Sequence, residues 1–142
     1  MKARTFVLVI LFCVAVSLSF AVDKISIDDV FGTWVNSDYN DELWKAGKKV
    51  TNPDGTDLAY GKETDTEPAW KTEFTIIDSW HDKEGNLFVK GTFVIKEENK
   101  SGYYLDKLSN AGKVKETVWS QADYPDEVSP IGGIYEIYYR QE

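Results

Sequence analysis

Apolar residues recur at every second position over much of the chain, the spacing that puts alternate side chains on one face of a β-strand. Residues 70–80 are the clearest case. Trp70, Phe74, Ile76 and Trp80 share one parity, and Lys71, Glu73, Thr75 and Ser79 share the other. Asp78 interrupts the apolar parity near the end of this strand, which predicts a β-bulge. In the following segment Leu87, Val89, Phe93 and Ile95 oppose Phe88, Lys90, Thr92 and Lys96. Gly91 falls on the apolar parity and predicts a bend or a close approach.

Shorter segments show the same pattern. Residues 31–39 read as a first strand, and 48–51 and 58–61 as the arms of a hairpin around Asn52-Pro53-Asp54-Gly55. In that turn Pro presets φ and Gly accepts a positive φ. Residues 103–108, 114–120 and 134–140 follow as strands. In the last, Tyr135, Ile137 and Tyr139 share one face and Ile134, Tyr138 and Arg140 the other. Residues 82–86, 97–102 and 109–112 read as turns, 61–68 as a polar loop, and 121–130 as a loop containing Pro125 and Pro130. No stretch repeats apolar residues at helical spacing for long. Residues 37–45 are the best remaining place for a helix, and Asp28 and Asp29 predict a capped helical turn leading into Val30 and Phe31.

About eight short strands joined mostly by tight turns predict an all-β fold. A sandwich or an antiparallel up-and-down barrel suits that count. An eight-stranded closed barrel has no exposed edges, and its interior holds side chains or one small ligand.

The first residues stand apart from this pattern. Lys2 and Arg4 precede an almost wholly apolar run from Phe6 to Phe20, and Ser19-Phe20-Ala21 offers small residues for cleavage after Ala21. This predicts a signal peptide over residues 1–21, a domain over 22–142, and a secreted or periplasmic destination. The run is about 15 residues, short of the roughly 20 needed to span a bilayer, so no stable membrane insertion is expected. Cys13, the only cysteine, lies inside it behind a bulky Phe12, so the mature chain has no thiol and no disulfide.

Removing Lys2 and Arg4 leaves 14 basic residues against 24 acidic ones, a net charge of about −10. The phosphates of nucleic acid demand surplus Lys and Arg, so this balance argues against nucleic acid as a partner.

Candidate chemistry is sparse. His81 is the only histidine, sits in a predicted turn beside Asp82, and has no nucleophile motif to serve. It is expected to face solvent. Without a second histidine a zinc site is not expected, and residues 82–86 lack the ligand spacing of a calcium loop. The acids Glu63, Asp65 and Glu67, then Asp123, Asp126 and Glu127, lie in loops and read as solvated surface. No catalytic residues, metal or cofactor are expected. Five Trp and eight Tyr instead suggest a packed interior. Trp34, Trp70, Phe74 and Trp80 are the expected core. Asn36, Tyr60, Trp70, Tyr103 and Tyr138 are the expected ligand contacts, since aromatic walls with a few polar groups hold small molecules.

Gly32-Thr33-Trp34 at the start of the first strand resembles the G-x-W signature of lipocalins, and Arg140 ends the last strand. The resemblance implies a lipocalin-like barrel in which Arg140 packs across Trp34 and closes the floor, with Gly32 beside them. Together with residues 31–39, 65–70, 82–86 and 134–140, the chain resembles small exported bacterial proteins described as lipocalin-like. It is shorter than an ordinary lipocalin and has no disulfide or helix after the last strand, which argues against a roomy cup. Avidins share the size and the G-x-W start, without a match at their biotin-binding positions.

The resulting expectation is a non-catalytic protein that holds a small hydrophobic or amphipathic ligand. The alternative is a protein-interaction or inhibitor-like barrel with a filled core.

Overall fold

In a computed structural model that describes residues 23–36 and 46–142, each alternating segment forms a strand. The predicted signal peptide and the predicted helix at 37–45 lie outside the described residues. The strands are β1 (Gly32–Val35), β2 (Lys48–Thr51), β3 (Thr56–Tyr60), β4 (Trp70–His81), β5 (Leu87–Ile95), β6 (Lys100–Ser109), β7 (Val114–Ser120) and β8 (Ile134–Arg140). They form a closed antiparallel barrel in sequence order. The seam pairs Trp34 with Arg140 and Val35 with Tyr139 across β1 and β8, so no strand edge is left open. No helix among the described residues is long and apolar enough to cross a membrane.

Local chemistry explains the turns. At the β2–β3 hairpin the Gly55 N–H donates to the Asn52 carbonyl (3.2 Å), with Gly55 at φ +86°. The Asp54 carboxylate accepts from the Thr56 N–H and hydroxyl. In the β4–β5 turn the Asp82 carboxylate accepts from the Glu84 and Asn86 N–H groups and from the Asn86 side chain. Asp82 is thus consumed by its own turn. Ahead of β1 the chain makes a 3₁₀ turn, Ile27–Val30, with the Ser26 N–H donating to Asp29 (2.7 Å).

The bulge expected in β4 is present and reverses an assignment. The register with β5 shifts between Ile76 and Asp78, leaving Ile77 unpaired and 55% exposed. One extra residue inverts the side-chain parity of everything beyond it. Trp80, expected in the core, therefore pairs with Phe88 on the outer face. The two rings stack at 5.6 Å, nearly parallel, and Trp80 is 41% exposed.

His81 turns inward by the same inversion, opposite buried Leu87. Instead of facing solvent it is partly buried and hydrogen-bonded through Nε2 to the Ile25 carbonyl (2.6 Å). That bond fastens the segment leading into β1 onto the end of β4.

Gly91 marks a close approach, as expected. A Cβ there would collide with the Thr75 carbonyl and the Tyr104 ring.

The apolar core occupies one end of the barrel. Ile25, Val30, Trp34, Leu87, Val89, Leu108 and Tyr138 form it, with Ile27, Phe31, Ile76 and Tyr104 packed against it. This end is shared by the lead-in segment and the turns at 52–55, 82–86 and 110–113; the longer connections at 61–69 and 121–133 lie at the other. Loop 121–133 folds back on the barrel wall, where Tyr124 packs on Tyr103 of β6 at 4.5 Å and Pro125 is buried.

Candidate functional site

The floor of the barrel is built around Trp34. Its indole N–H donates to the Val30 carbonyl (3.0 Å), and the Arg140 guanidinium stands 4.4 Å from its ring centre. Arg140 donates from Nε to the Gly112 carbonyl (3.1 Å), from Nη1 to Phe31 (3.0 Å) and from Nη2 to Asp29. One side chain thereby ties the lead-in, the β6–β7 turn and β8 together. Gly32 has φ +125°, and a Cβ on it would sit 2.9 Å from Arg140 Nη1, so this position needs glycine on two counts.

Beyond the floor lies a cavity of about 110 Å³. Its walls divide by chemistry. Trp70, Phe74, Phe93, Ile95, Tyr104 and Trp119 supply aromatic and aliphatic surface, while Lys49, Thr51, Asp57, Asp106, Lys115, Thr117 and Glu136 supply polar surface. Phe93 and Trp119 meet edge to face at 5.6 Å, and Phe74 meets Tyr104 in the same way at 6.4 Å. The volume is below the ~150 Å³ of a cavity that takes benzene and far below the roughly 300 Å³ at which drug-sized pockets begin.

Three small networks order the polar wall. Lys49 pairs with Glu136 at 3.3 Å. Thr51 donates its hydroxyl to Asp57 (2.8 Å) and accepts from the Lys115 ammonium (3.3 Å). Thr117 donates to Asp106. Lys115 also stands 4.5 Å from the Trp34 ring centre and 5.9 Å from that of Tyr138, and Lys49 stands 5.0 Å from Tyr138. Asp106, Lys115 and Glu136 are each more than nine-tenths buried.

Burial governs the titration of this cluster. It raises the Asp106 carboxyl, against the opposing pull of Lys115 and the Thr117 hydroxyl. It lowers the Lys115 ammonium, which Asp106 and Asp57 resist and Lys49 and Arg140 reinforce. Lys49 goes the other way. Burial acts to lower it, but Glu136, with Tyr138 and Asp57, outweighs that effect and holds the ammonium well above its ordinary value. Burial pushes the Tyr104 and Tyr138 phenols up. Tyr138 Oη is buried and has no hydrogen-bond partner within bonding geometry among the described residues.

The residues expected to contact a ligand are dispersed. Trp70 lines the cavity. Tyr138 is fully buried in the core at the floor and does not line it, and buried Asn36 at the end of β1 is also outside the lining. Tyr60 and Tyr103 stand on the parity facing away from the interior. Tyr60 lies under the Lys48 ammonium at 4.4 Å, and Tyr103 lies against Tyr124.

Alternation taken as apolar inside and polar outside does not reveal the polar wall. The signal was a charged residue on the same parity as buried ones, such as Glu136 beside Tyr138 or Asp106 beside Leu108. The loop acids do not converge, and no group of three or more His, Cys, Asp or Glu among the described residues could hold a metal ion. No family model matches the chain, and neither the curated proteins nor the solved structures yield a significant match.

Proposed function

We propose that this protein is an exported, lipocalin-like barrel that binds a small amphipathic molecule in its cavity and performs no chemistry on it. The observation that carries this reading is the mixed lining of the cavity: it carries aromatic surface from Trp70, Phe93 and Trp119 together with charged surface from Asp57, Asp106 and Lys115. A guest with an apolar body and a polar end would match both. The cavity volume of about 110 Å³ limits the guest to a handful of heavy atoms. A binding role also accords with His81, which is tied to a backbone carbonyl and does not line the cavity. The likeness to lipocalins is supported by Arg140 over Trp34 at the floor, and export by the basic-then-apolar pattern of residues 1–21.

Native mass spectrometry of protein purified gently from its own host tests the reading. A reproducible small adduct, released by denaturation and lost when Thr72, which also lines the cavity, is replaced by Trp to fill it, is the expected result. An adduct-free protein that also binds no small amphiphile at millimolar concentration would remove the basis for the proposal.

The alternative, a protein-interaction surface, has one observation in its favour. Ile77 and the Trp80–Phe88 stack present apolar surface on the outside of β4 and β5.

A further inference from the structure

The charges lining the cavity do not cancel. Lys49 and Lys115 face Asp57, Asp106 and Glu136, two cations against three carboxylates. Lys49 and Glu136 neutralise each other at 3.3 Å. Lys115 has no carboxylate within ion-pair distance among the described residues; its ammonium rests on the Thr51 hydroxyl and the Trp34 face. Asp57 and Asp106 are each held by one threonine hydroxyl and by no cation. Burial disfavours the charged forms of Lys115 and Asp106 alike. With all five groups ionised, or with a proton passed from Lys115 to Asp106, one negative charge is left over; ionising Asp106 is what a bound cation would favour.

We propose that the guest is a small amphipathic organic cation of the alkylammonium class, its charged end at Asp57 and Asp106 and its apolar part against Trp70, Phe93 and Trp119. This inference rests on the cavity-binding reading above and names the polar end of the guest. A cation restores neutrality to the cavity lining when its five charged groups are ionised. An anion would double the uncompensated charge, and a neutral guest would leave it. Aromatic faces act in the same direction, since their negative quadrupole attracts ammonium groups. So does the chain as a whole, whose net charge of −8 draws cations toward it. Lys115 alone would welcome an anion, but any anion reaching it must also lie near Asp57 and Asp106.

Three probes with one tail and three heads separate these cases: n-butylammonium, n-butyrate and n-butanol. Each is titrated into the purified protein at matched ionic strength near neutral pH, followed by amide and indole NMR shifts. Butylammonium should bind about tenfold more tightly than butyrate and more tightly than butanol, with the Trp70 and Trp119 indole signals moving. Asp57→Asn keeps an acceptor for Thr51 and should weaken butylammonium about fivefold or more relative to butanol. Asp106→Asn provides the same comparison should Asp57→Asn not fold. Butyrate binding as well as butylammonium, or butanol binding alone, would overturn the cation assignment and leave the cavity reading intact. An ammonium affinity indifferent to both substitutions would do the same. Failure of all three probes would overturn both.

Discussion

Trp34 and Arg140 are direct partners across the seam that closes the barrel, and the guanidinium of one stands 4.4 Å from the ring centre of the other. Everything at the floor converges on this pair. The indole N–H holds the Val30 carbonyl, and the guanidinium holds those of Asp29, Phe31 and Gly112. The lead-in segment has no β-ladder of its own, so these bonds keep it over the end of the barrel.

Arg140→Ala removes the cation–π contact and leaves three carbonyls without their donor. The expected loss is about 2–4 kcal/mol, read as a lower melting temperature with a changed Trp emission. Arg140→Lys restores the charge but not the three-way fork, and should recover only part of the loss. Wild-type melting and emission in Arg140→Ala would show that the pair does not hold the floor.

Lys49 and Glu136 form an ion pair inside the barrel, with side chains 16% and 4% exposed. Removing one partner strands the other in a low-dielectric interior. Lys49→Ala should therefore destabilise by roughly 3–5 kcal/mol, whereas Lys49→Met combined with Glu136→Leu should recover most of that by burying apolar surface instead. Denaturant midpoints of the single and double variants check this. A double variant no more stable than the worse single one would mean that the pair is not an isolated unit.

The raised Asp106 carboxyl makes stability depend on pH in a definite direction. Between the ordinary carboxylate range and the raised value, the folded protein keeps a proton that the unfolded chain has released. That contribution is complete at low pH and is lost as pH rises through the raised value. Asp106→Asn is neutral throughout and keeps an acceptor for Thr117. Its melting temperature relative to wild type should thus become more favourable as pH rises above the ordinary carboxylate range. Lys115 is lowered, so in its own window, below the ordinary lysine value, stability rises with pH. A difference between variant and wild type that stays flat over the acidic range would show that Asp106 is not raised.

Two glycines separate crowding from backbone strain. At Gly91 a Cβ would run into the Thr75 carbonyl and the Tyr104 ring, so Gly91→Ala should cost about 3 kcal/mol. At Gly85 nothing lies within 4 Å, but φ is +86°, so Gly85→Ala should cost only about 1 kcal/mol. Thermal melts of the two variants measure both, and equal losses would show that β5 can move away from β4 at Gly91.

Period-two alternation by itself determined that this chain is made of strands, roughly where they begin and end, and that β4 carries a bulge. It did so because backbone pleating imposes that period whatever the strand packs against. The pairing of Trp34 with Arg140 was implied by the resemblance to lipocalins that Gly32-Thr33-Trp34 and the arginine at the end of the last strand carry. Which way the side chains point was decided only in three dimensions. The unpaired Ile77 sends Trp80 outward and His81 inward, and nothing within the segment says on which side of Asp78 the extra residue falls. The polar wall depends on tertiary structure even more. Lys49, Asp57, Asp106, Lys115 and Glu136 come from five different strands, and each is tolerable inside only because strand pairing and closure together bring it to an ion-pair partner, a threonine hydroxyl or an aromatic face. Read along the sequence, they look like any solvated charge.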